Sequence, residues 1–391
     1  MNIEEYFKTA IAKGAADLHL VGGSLPAVRI GEQLMPIEPE PLANGELETA
    51  AATLLNEKQK QQFLARQELD FSKEILGARF RINLHWQEGK AGLTARVIAK
   101  EVPAPDKLGF DETLYNLTHL RDGLILVVGP SGNGKSSTLA ALLNIINAER
   151  KAHIITIEDP IEFLFKEKQS IIEQRELGTD TRSFAEALRA ALRQDPNVIM
   201  VGEMRDQETI SAALTAAETG HLVLSTLHTS NAPETIQRIT DFFPADKRQQ
   251  ILNQLASNLR AVIAQELLPT KDGGRVAARE IMINNSAVSN LIRAGSMNQI
   301  MTAIQTGSAA GMITMNQAID KLSADGLIEQ KVAENRKRDL ETKSVYYWMG
   351  ITMMQIYKFM QILQKIICIP MWIYETTNKS KSYLVIQDMQ I

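Results

Sequence analysis

Alternating apolar and polar residues mark residues 17–100 of the chain as rich in strands. The run from Ala78 to Leu84 alternates strictly, which is the pattern of a strand with one buried face. A helical pattern from Glu46 to Ala65 lies between such strands. Together these patterns predict a small α+β domain over residues 1–101.

A proline-containing segment follows that domain. Two prolines and a glycine fall between Val102 and Gly109, and they disfavour a continuous helix or strand. We therefore predict a linker over residues 102–122.

Beyond residue 122 the pattern changes to short, largely apolar runs separated by helical stretches. Such runs are typical of parallel strands that are buried on both faces by helices. Residues 123–335 are therefore predicted to form an α/β domain around a mostly parallel sheet. Ser183 and Asp206 are in the right places to cap two of its helices. The strand-like runs are Leu124–Val128, Ile154–Ile157, Val198–Val201 and Leu222–Leu227.

The last segment, residues 336–391, differs in character from the rest of the chain. Polar residues recur there at helical spacing, at Gln355, Lys358, Gln361 and Lys365. This spacing predicts an amphipathic helix and disfavours a membrane-spanning helix, which needs about 20 apolar residues. Packing against the same or a neighbouring subunit, contact with a membrane surface, and an artefactual extension remain open for this tail.

Composition and charge exclude several classes of protein. The chain is 45% hydrophobic and 23% charged with a net charge of -4, so it has no overall basic field for gripping nucleic acid. Its one cysteine, Cys368, excludes an intramolecular disulfide and a cysteine-based zinc site. The opening residues lack the basic and apolar regions of a secretory signal. We therefore expect a cytoplasmic protein with no nucleic-acid partner.

A phosphate-binding loop connects the first apolar run to a helix. Gly129 to Ser136 reads G-P-S-G-N-G-K-S, which fits the pattern G-x-x-x-x-G-K-[ST] in its required setting. Its glycines let backbone amides surround a phosphate, Lys135 brings a positive charge, and the Ser136 hydroxyl can bind Mg²⁺. The expected ligands are ATP and Mg²⁺. The predicted nucleotide-binding residues of the loop are Gly129, Ser131, Gly132, Asn133, Gly134, Lys135, Ser136 and Ser137.

Two glutamates end neighbouring apolar runs. Glu158 follows Ile154–Ile157, and Glu203 follows Val198–Val201 after one glycine. A single acid at a strand end is more often a turn or capping residue. Two such acids beside a phosphate loop instead favour a catalytic pair, because phosphoryl transfer to water needs one carboxylate near the metal and one group that orients the water.

One histidine is a candidate for sensing the terminal phosphate. His221 and His228 flank the run Leu222–Leu227, and an extended chain places them at opposite ends and on opposite faces. His228 is at the carboxyl end, where ligands of α/β sheets bind. A hydrogen-bonded strand-end histidine is the alternative.

Arginines of the first domain are candidates for phosphate contacts. Arg79 and Arg81 share one face of their predicted strand, opposite Phe80 and Ile82. A solvated basic face is one interpretation. In the other, these two arginines or Arg96 reach a bound triphosphate, within the subunit or across an interface.

These segments together resemble the PilT family of type IV pilus retraction ATPases, within the type II and type IV secretion ATPases, over about residues 1–330. Beyond the phosphate loop, the similar segments are Ala16–Leu20 with Gly22, Gly23 and Arg29; Thr156–Glu162; Val201–Asp206; Ser225–Thr229; Gln305–Gly307; and Gly311–Met315.

The resemblance implies a fold and a set of roles. It implies a PAS-like α+β N-terminal domain, a RecA-like P-loop ATPase core, and a homohexameric ring with nucleotide held between the two domains. Glu158 would be the general base, Glu203 the Mg²⁺-associated acid, and Arg79, Arg81 and Arg96 phosphate contacts. The implied partners are the pilus machinery and its inner-membrane platform protein, at the inner-membrane face of the pilus base. Membrane association would be peripheral and through the platform only.

Alternatives within and beyond the family stay open. Motors for pilus extension, secretion or conjugation share this core, but many carry a tetracysteine zinc motif and a longer N-terminal region. A nucleotide-binding regulatory component of the ring is a further alternative. Departures from the family pattern occur at Ser131, Asn133 and Ser137, and Ser289 replaces an arginine in Ala287–Arg293. The last departure concerns coupling to the pilus more than ATP hydrolysis.

Overall fold

An antiparallel six-stranded sheet carries the first part of the chain. The computed structural model describes residues 2–31, 33–43, 45–98 and 101–337, and the backbone of 375–378 and 381–384. The strand order is β3-β2-β1-β6-β5-β4. In chain order the elements are α1 (Ile3–Ala12), β1 (Asp17–Val21), β2 (Ala27–Ile30), β3 (Gln33–Pro36), α2 (Glu46–Ala52), α3 (Glu57–Arg66), β4 (Glu68–Ile75), β5 (Ala78–Gln87) and β6 (Lys90–Val97).

One face of this sheet packs against the helices. On β5, Phe80, Ile82 and Leu84 are buried, and the ring of Phe80 meets Phe7 of α1 edge-on with centroids 4.7 Å apart. The arginines of β5 therefore project from the opposite face, as the alternation predicts. The helical stretch expected from Glu46 to Ala65 is two helices, because Asn56 begins α3 with a side-chain cap on the amide of Gln59.

The segment expected to be a linker is partly helical. Asp111 caps helix α4 (Glu112–Thr118), whose Leu114 and Leu117 are buried with residues of the next helix. The break in long helices and strands that the prolines and glycine predict therefore ends at Asp111. Met1–Arg336 forms one compact unit. The domain boundaries expected at residues 101 and 123 lie within this unit, so they stay predictions.

A seven-stranded sheet forms the second part, in the order β13-β12-β7-β11-β10-β8-β9. The pairings among β7 to β12 are parallel, and β13 pairs antiparallel with β12 at the edge, so the predicted mostly parallel sheet is confirmed. The strands are β7 (Gly123–Val128), β8 (His153–Glu158), β9 (Ile171–Glu176), β10 (Val198–Val201), β11 (Leu222–Leu227), β12 (Leu259–Pro269) and β13 (Arg275–Ile283).

Helices cover both faces of this sheet. On β7, Leu124 and Leu126 face one buried cluster, whereas Ile125 and Val127 face the other. Ser183 and Asp206 cap α6 and α7 as expected. The helices are α5 (Lys135–Glu149), α6 (Phe184–Ala191), α7 (Gln207–Glu218), α8 (Ala232–Asp241), α9 (Arg248–Asn258), α10 (Ser286–Arg293), α11 (Met297–Thr306), α12 (Met315–Ala324) and α13 (Gln330–Arg336).

Lys337–Ile391 forms a separate unit. Its described residues are an antiparallel hairpin of β14 (Glu375–Asn378) and β15 (Lys381–Leu384). The amphipathic helix expected around residues 355–365 lies outside the described residues. Within the part of the chain that the structure describes, no helix has the length and apolar character needed to cross a bilayer.

Candidate active site

A cavity of about 360 Å³ opens at the carboxyl ends of the central parallel strands. The phosphate loop after β7, the ends of β8 and β10 and the end of β11 all contribute to its wall. This edge is where ligands of parallel α/β sheets bind. Two arginines of the N-terminal sheet, Arg81 and Arg96, close its other side.

The phosphate loop lies at the base of the cavity. Ser131, Gly132, Lys135 and Ser136 line it, and α5 begins at Lys135. The backbone φ of Gly132 is +80°, a left-handed conformation that favours glycine. The loop therefore presents polar groups and a helix amino terminus to the cavity, an arrangement that favours a phosphate.

The other predicted loop residues are not part of the cavity lining: Gly129, Asn133, Gly134 and Ser137. Asn133 contacts β12, accepting hydrogen bonds from the side chain of Gln265 at 2.6 Å and from the amide of Leu267 at 2.8 Å. A Cβ at Gly129 would lie 2.4 Å from the carbonyl oxygen of Gln265. These residues shape the loop, and a direct contact with nucleotide stays a prediction for them.

Lys135 is buried at the centre of the loop. Its ammonium donates to the carbonyl oxygens of Gly129 at 2.7 Å and Pro130 at 3.1 Å. Burial lowers the pKa of Lys135, and the nearby carboxylates of Glu203 and Glu162 oppose that shift. The ammonium of Lys135 thus contacts neutral carbonyl oxygens, and its positive charge is available to bind a phosphate.

Glu158 is a buried carboxylate surrounded by neutral donors. The hydroxyl of Thr156 donates to it at 2.7 Å, the amide side chain of Gln174 at 3.1 Å, and the backbone of Glu162 at 3.4 Å. Desolvation raises the pKa of Glu158, and these hydrogen bonds oppose the rise. A carboxylate with a raised pKa that lines a cavity is suited to accept a proton from water.

Glu203 has a charged environment instead. It accepts from Nε of Arg205 at 2.9 Å, and Nε2 of His228 lies 3.1 Å from its other oxygen. The Nδ1 atom of His228 lies 3.4 Å from the hydroxyl of Ser131. The imidazole therefore bridges the acid after β10 and the phosphate loop. His221 instead contacts Ala216 and Thr219 at the other end of β11.

The three candidate arginines do not share one environment. Arg81 pairs with Asp70 at 2.6 Å and Arg96 with Asp17 at 2.7 Å, and both line the cavity. Arg79 does not line the cavity, and a direct phosphate contact stays a prediction for this residue. Its guanidinium donates to the hydroxyl of Ser72 at 2.6 Å and to Glu176 at 3.2 Å. Arg79 therefore contacts the end of β9, where the buried carboxylate of Glu176 binds it.

Sequence reasoning missed several residues of the site. Thr156 lies two positions before Glu158 on the predicted strand, so same-face spacing was a signal for it, whereas Arg205 follows Glu203 beyond the end of β10, where that spacing rule does not apply. Gln174 and Gln265 had no such signal, because each contacts the site from another element: Gln174 of β9 reaches Glu158 of β8, and Gln265 of β12 reaches the phosphate loop.

Comparisons with known proteins agree with this geometry. Residues 104–341 match the family described as type II/IV secretion system protein. The chain is 44% identical to the "type IV pilus retractation ATPase PilT" of Pseudomonas aeruginosa over 86% of this chain and 98% of that protein. It is also 44% identical to a "twitching motility protein" of Neisseria gonorrhoeae over 82% of this chain and 86% of that protein.

A solved structure extends the similarity to the fold. The crystal structure of the pilus retraction motor PilT with bound ADP is 45% identical, with a TM-score of 0.81 over 87% of this chain and 98% of that chain. The predicted fold class, a P-loop ATPase core preceded by a smaller α+β domain, is thereby confirmed. The chain belongs to the type II/IV secretion system protein family and is one of its nucleotide-binding ATPases.

Proposed function

We propose that this chain is the motor that hydrolyses ATP to retract a type IV pilus and so drive twitching motility. The observation that carries the proposal is the similarity to a pilus retraction ATPase, which spans 98% of that relative. The aligned length is long enough to include both the N-terminal sheet and the ATPase core, which together line the cavity. The loop, both glutamates, His228 and two arginines meet at that cavity.

ATP would bind with its phosphates at the loop. Backbone amides at the start of α5 and the ammonium of Lys135 would hold the β- and γ-phosphates. Ser136 and Glu203 would hold the magnesium ion, since both line the cavity and offer hard oxygen donors, and Mg²⁺ takes most other ligands from water and phosphate. Bound Mg²⁺ would neutralise charge on the phosphate oxygens.

The two glutamates and the cationic groups would divide the remaining work. Glu158 would accept a proton from the attacking water, held in place by Thr156 and Gln174. Arg81 and Arg96 would balance the charge on the transferring phosphoryl group. His228 would report the state of the γ-phosphate, because its ring contacts both Ser131 and Glu203.

We further propose a homohexameric ring at the inner-membrane face of the pilus base, engaging the pilus machinery through the membrane platform protein. A ring lets hydrolysis in one subunit change the contacts of its neighbours, so that the ATP cycle becomes directional work. The platform contact would then supply all membrane association.

Replacement of the native protein by its Glu158→Gln variant tests the proposal in cells. We expect an excess of surface pili and a loss of twitching, because nucleotide still binds but the motor cannot turn over. Cells without pili would indicate the alternative, an extension motor. Normal pili and normal twitching would instead indicate either a regulatory ring component that does not need to hydrolyse ATP or a motor outside this pathway, such as a secretion motor.

A further inference from the structure

The buried contact of Arg79 lies between the two sheets. Glu176 is the last residue of β9, and its side chain is 5% exposed, whereas that of Arg79 is 22% exposed. The hydroxyl and the amide of Ser72 on β4 donate to the two oxygens of the same carboxylate, the amide at 3.3 Å. One acid of the ATPase core therefore binds two residues of the N-terminal sheet.

The core itself also holds this carboxylate in place. The amide of Ile161, just after the cis Asp159–Pro160 bond, donates to it at 3.2 Å. The backbone amide of Glu176 donates to Asp180 at 2.8 Å. The core therefore holds both the backbone and the carboxylate of Glu176, and a buried charge of this kind needs a cationic partner.

The position of Glu176 relates the contact to the cavity. Glu176 is the register partner of Glu158 across the parallel pair β8 and β9. Gln174, which donates to Glu158, lies two residues earlier on the same side of β9. The N-terminal sheet therefore contacts the core one strand away from the proposed base.

Strand geometry then brings the arginines to the cavity. Arg81 follows Arg79 by two residues on the same face of β5, and Arg96 is the register partner of Arg81 on β6. With Arg79 bound to Glu176, the next arginine along β5 and its neighbour on β6 line the same cavity as the phosphate loop. A second contact, from the ammonium of Lys58 to the carbonyl of Gly178 at 3.1 Å, lies beside the first.

We propose that Arg79 is a positioning residue: its ion pair with Glu176 docks the N-terminal sheet so that Arg81 and Arg96 can act on the nucleotide. Arg79 touches no reacting atom in this account. This inference rests on the proposed function, ATP hydrolysis at the cavity. It adds the ion pair that brings the N-terminal arginines to that cavity. When the contact is broken, Arg81 and Arg96 are withdrawn although the loop and both glutamates are unchanged.

A double-mutant cycle on the full-length chain tests this inference. Arg79→Ala should lower kcat about tenfold, because the two arginines lose their alignment, with ADP affinity kept within about twofold. In an Arg81→Ala/Arg96→Ala background, Arg79→Ala should change kcat by less than about twofold, since there is nothing left to position. Equal losses in both backgrounds, or a large loss of ADP affinity, would overturn the inference in favour of a direct phosphate contact.

A second variant and a local measurement guard against a simple folding defect. Glu176→Gln keeps the shape of the side chain and should lower kcat as Arg79→Ala does. In a chain that already carries Arg79→Ala, it should cause no further loss of kcat. Hydrogen exchange should become faster at the amide of Ser72 in both variants, and unchanged exchange would overturn the inference. Arg66→Ala, at an exposed arginine of α3, is the matched control and should leave both readouts unchanged.

Lys135→Ala separates this inference from the site assignment. Turnover retained by that variant would contradict ATP hydrolysis at this cavity. Loss of turnover in Lys135→Ala together with full turnover in Arg79→Ala would overturn only the docking role.

Discussion

The two glutamates at the cavity differ mainly in what surrounds them. Neutral donors, from Thr156, Gln174 and the backbone of Glu162, contact Glu158, whereas Arg205 and His228 contact Glu203. Burial raises the pKa of Glu158, and a raised pKa suits a carboxylate that accepts a proton from water. The surroundings thus agree with a base at Glu158 and a metal-associated acid at Glu203.

Amide variants of the two acids separate these roles. Glu158→Gln should lower kcat at least about a hundredfold with ADP affinity almost unchanged, since only proton transfer is lost. Glu203→Gln should instead raise the Mg²⁺ concentration that half-saturates turnover. Steady-state rates across a magnesium titration measure both effects. If Glu203→Gln gave the first pattern and Glu158→Gln the second, the roles would be exchanged.

The pH profile of turnover depends on the hydrogen bond from Thr156. Burial raises the pKa of Glu158 and this bond opposes the rise, so Thr156→Val should raise the pKa further. The base works ionised, and the acid limb of the kcat profile should therefore move to higher pH by about one unit, the scale of a hydrogen bond to a charged group. Thr215→Val, at an exposed position of α7, should leave the limb in place. An acid limb that stayed fixed in Thr156→Val would exclude Glu158 as the titrating group.

At the scale of elements, the buried side-chain amide of Gln265 on β12 helps to hold the phosphate loop. Gln265 donates to the carbonyl of Asn133 at 2.6 Å and accepts from Thr138 and from Nε of Arg279, each at 2.8 Å. Arg279 is buried as well, and desolvation lowers its pKa to about 10. Its other nitrogens donate to the carbonyls of Leu108 and Gly109. The amide of Gln265 thereby joins the loop, α5 and the segment before α4.

Replacing this amide should destabilise the protein and loosen the loop. Gln265→Leu leaves a buried guanidinium and a buried hydroxyl short of an acceptor, a cost of about 3 kcal/mol or more. We expect a melting temperature lower by about 6 °C or more and weaker ADP binding. Gln61→Leu on the exposed face of α3 is the control. An unchanged melting temperature and unchanged ADP affinity in Gln265→Leu would show that β12 does not support the loop.

The sequence pattern predicted those parts of the site in which a functional residue directly follows a strand. The loop between β7 and α5, the acid ends of β8 and β10, and His228 after β11 could all be read from apolar runs that end in polar residues. Helix α4 was not predicted: its cap at Asp111 is a weak local signal, and so short a helix depends mainly on packing, here of Leu114 and Leu117 against α5. The contact of Arg79 with Glu176 was equally hidden, because it joins two sheets through residues far apart in the chain.

At the scale of the whole molecule, the site and its supports lie within the first compact unit. Met1–Arg336 contains every residue named at the cavity, and the family match ends at residue 341. Ending the chain after residue 341 should therefore leave a soluble protein that binds ADP with affinity within about twofold of the full chain. Thermal unfolding and ADP titration of the two forms measure this. A shortened chain that cannot fold would show that the tail belongs to the core.

The central claim is that ATP turnover at this cavity pulls the pilus in. Retraction speed of single fluorescent pili, measured in cells that carry either the native chain or Arg79→Ala, Arg81→Ala or Glu158→Gln, tests it most directly. The account predicts that speed falls in step with the kcat of each purified variant and that Glu158→Gln pili extend but do not retract. Pili that retract at native speed in the Glu158→Gln cells would contradict it.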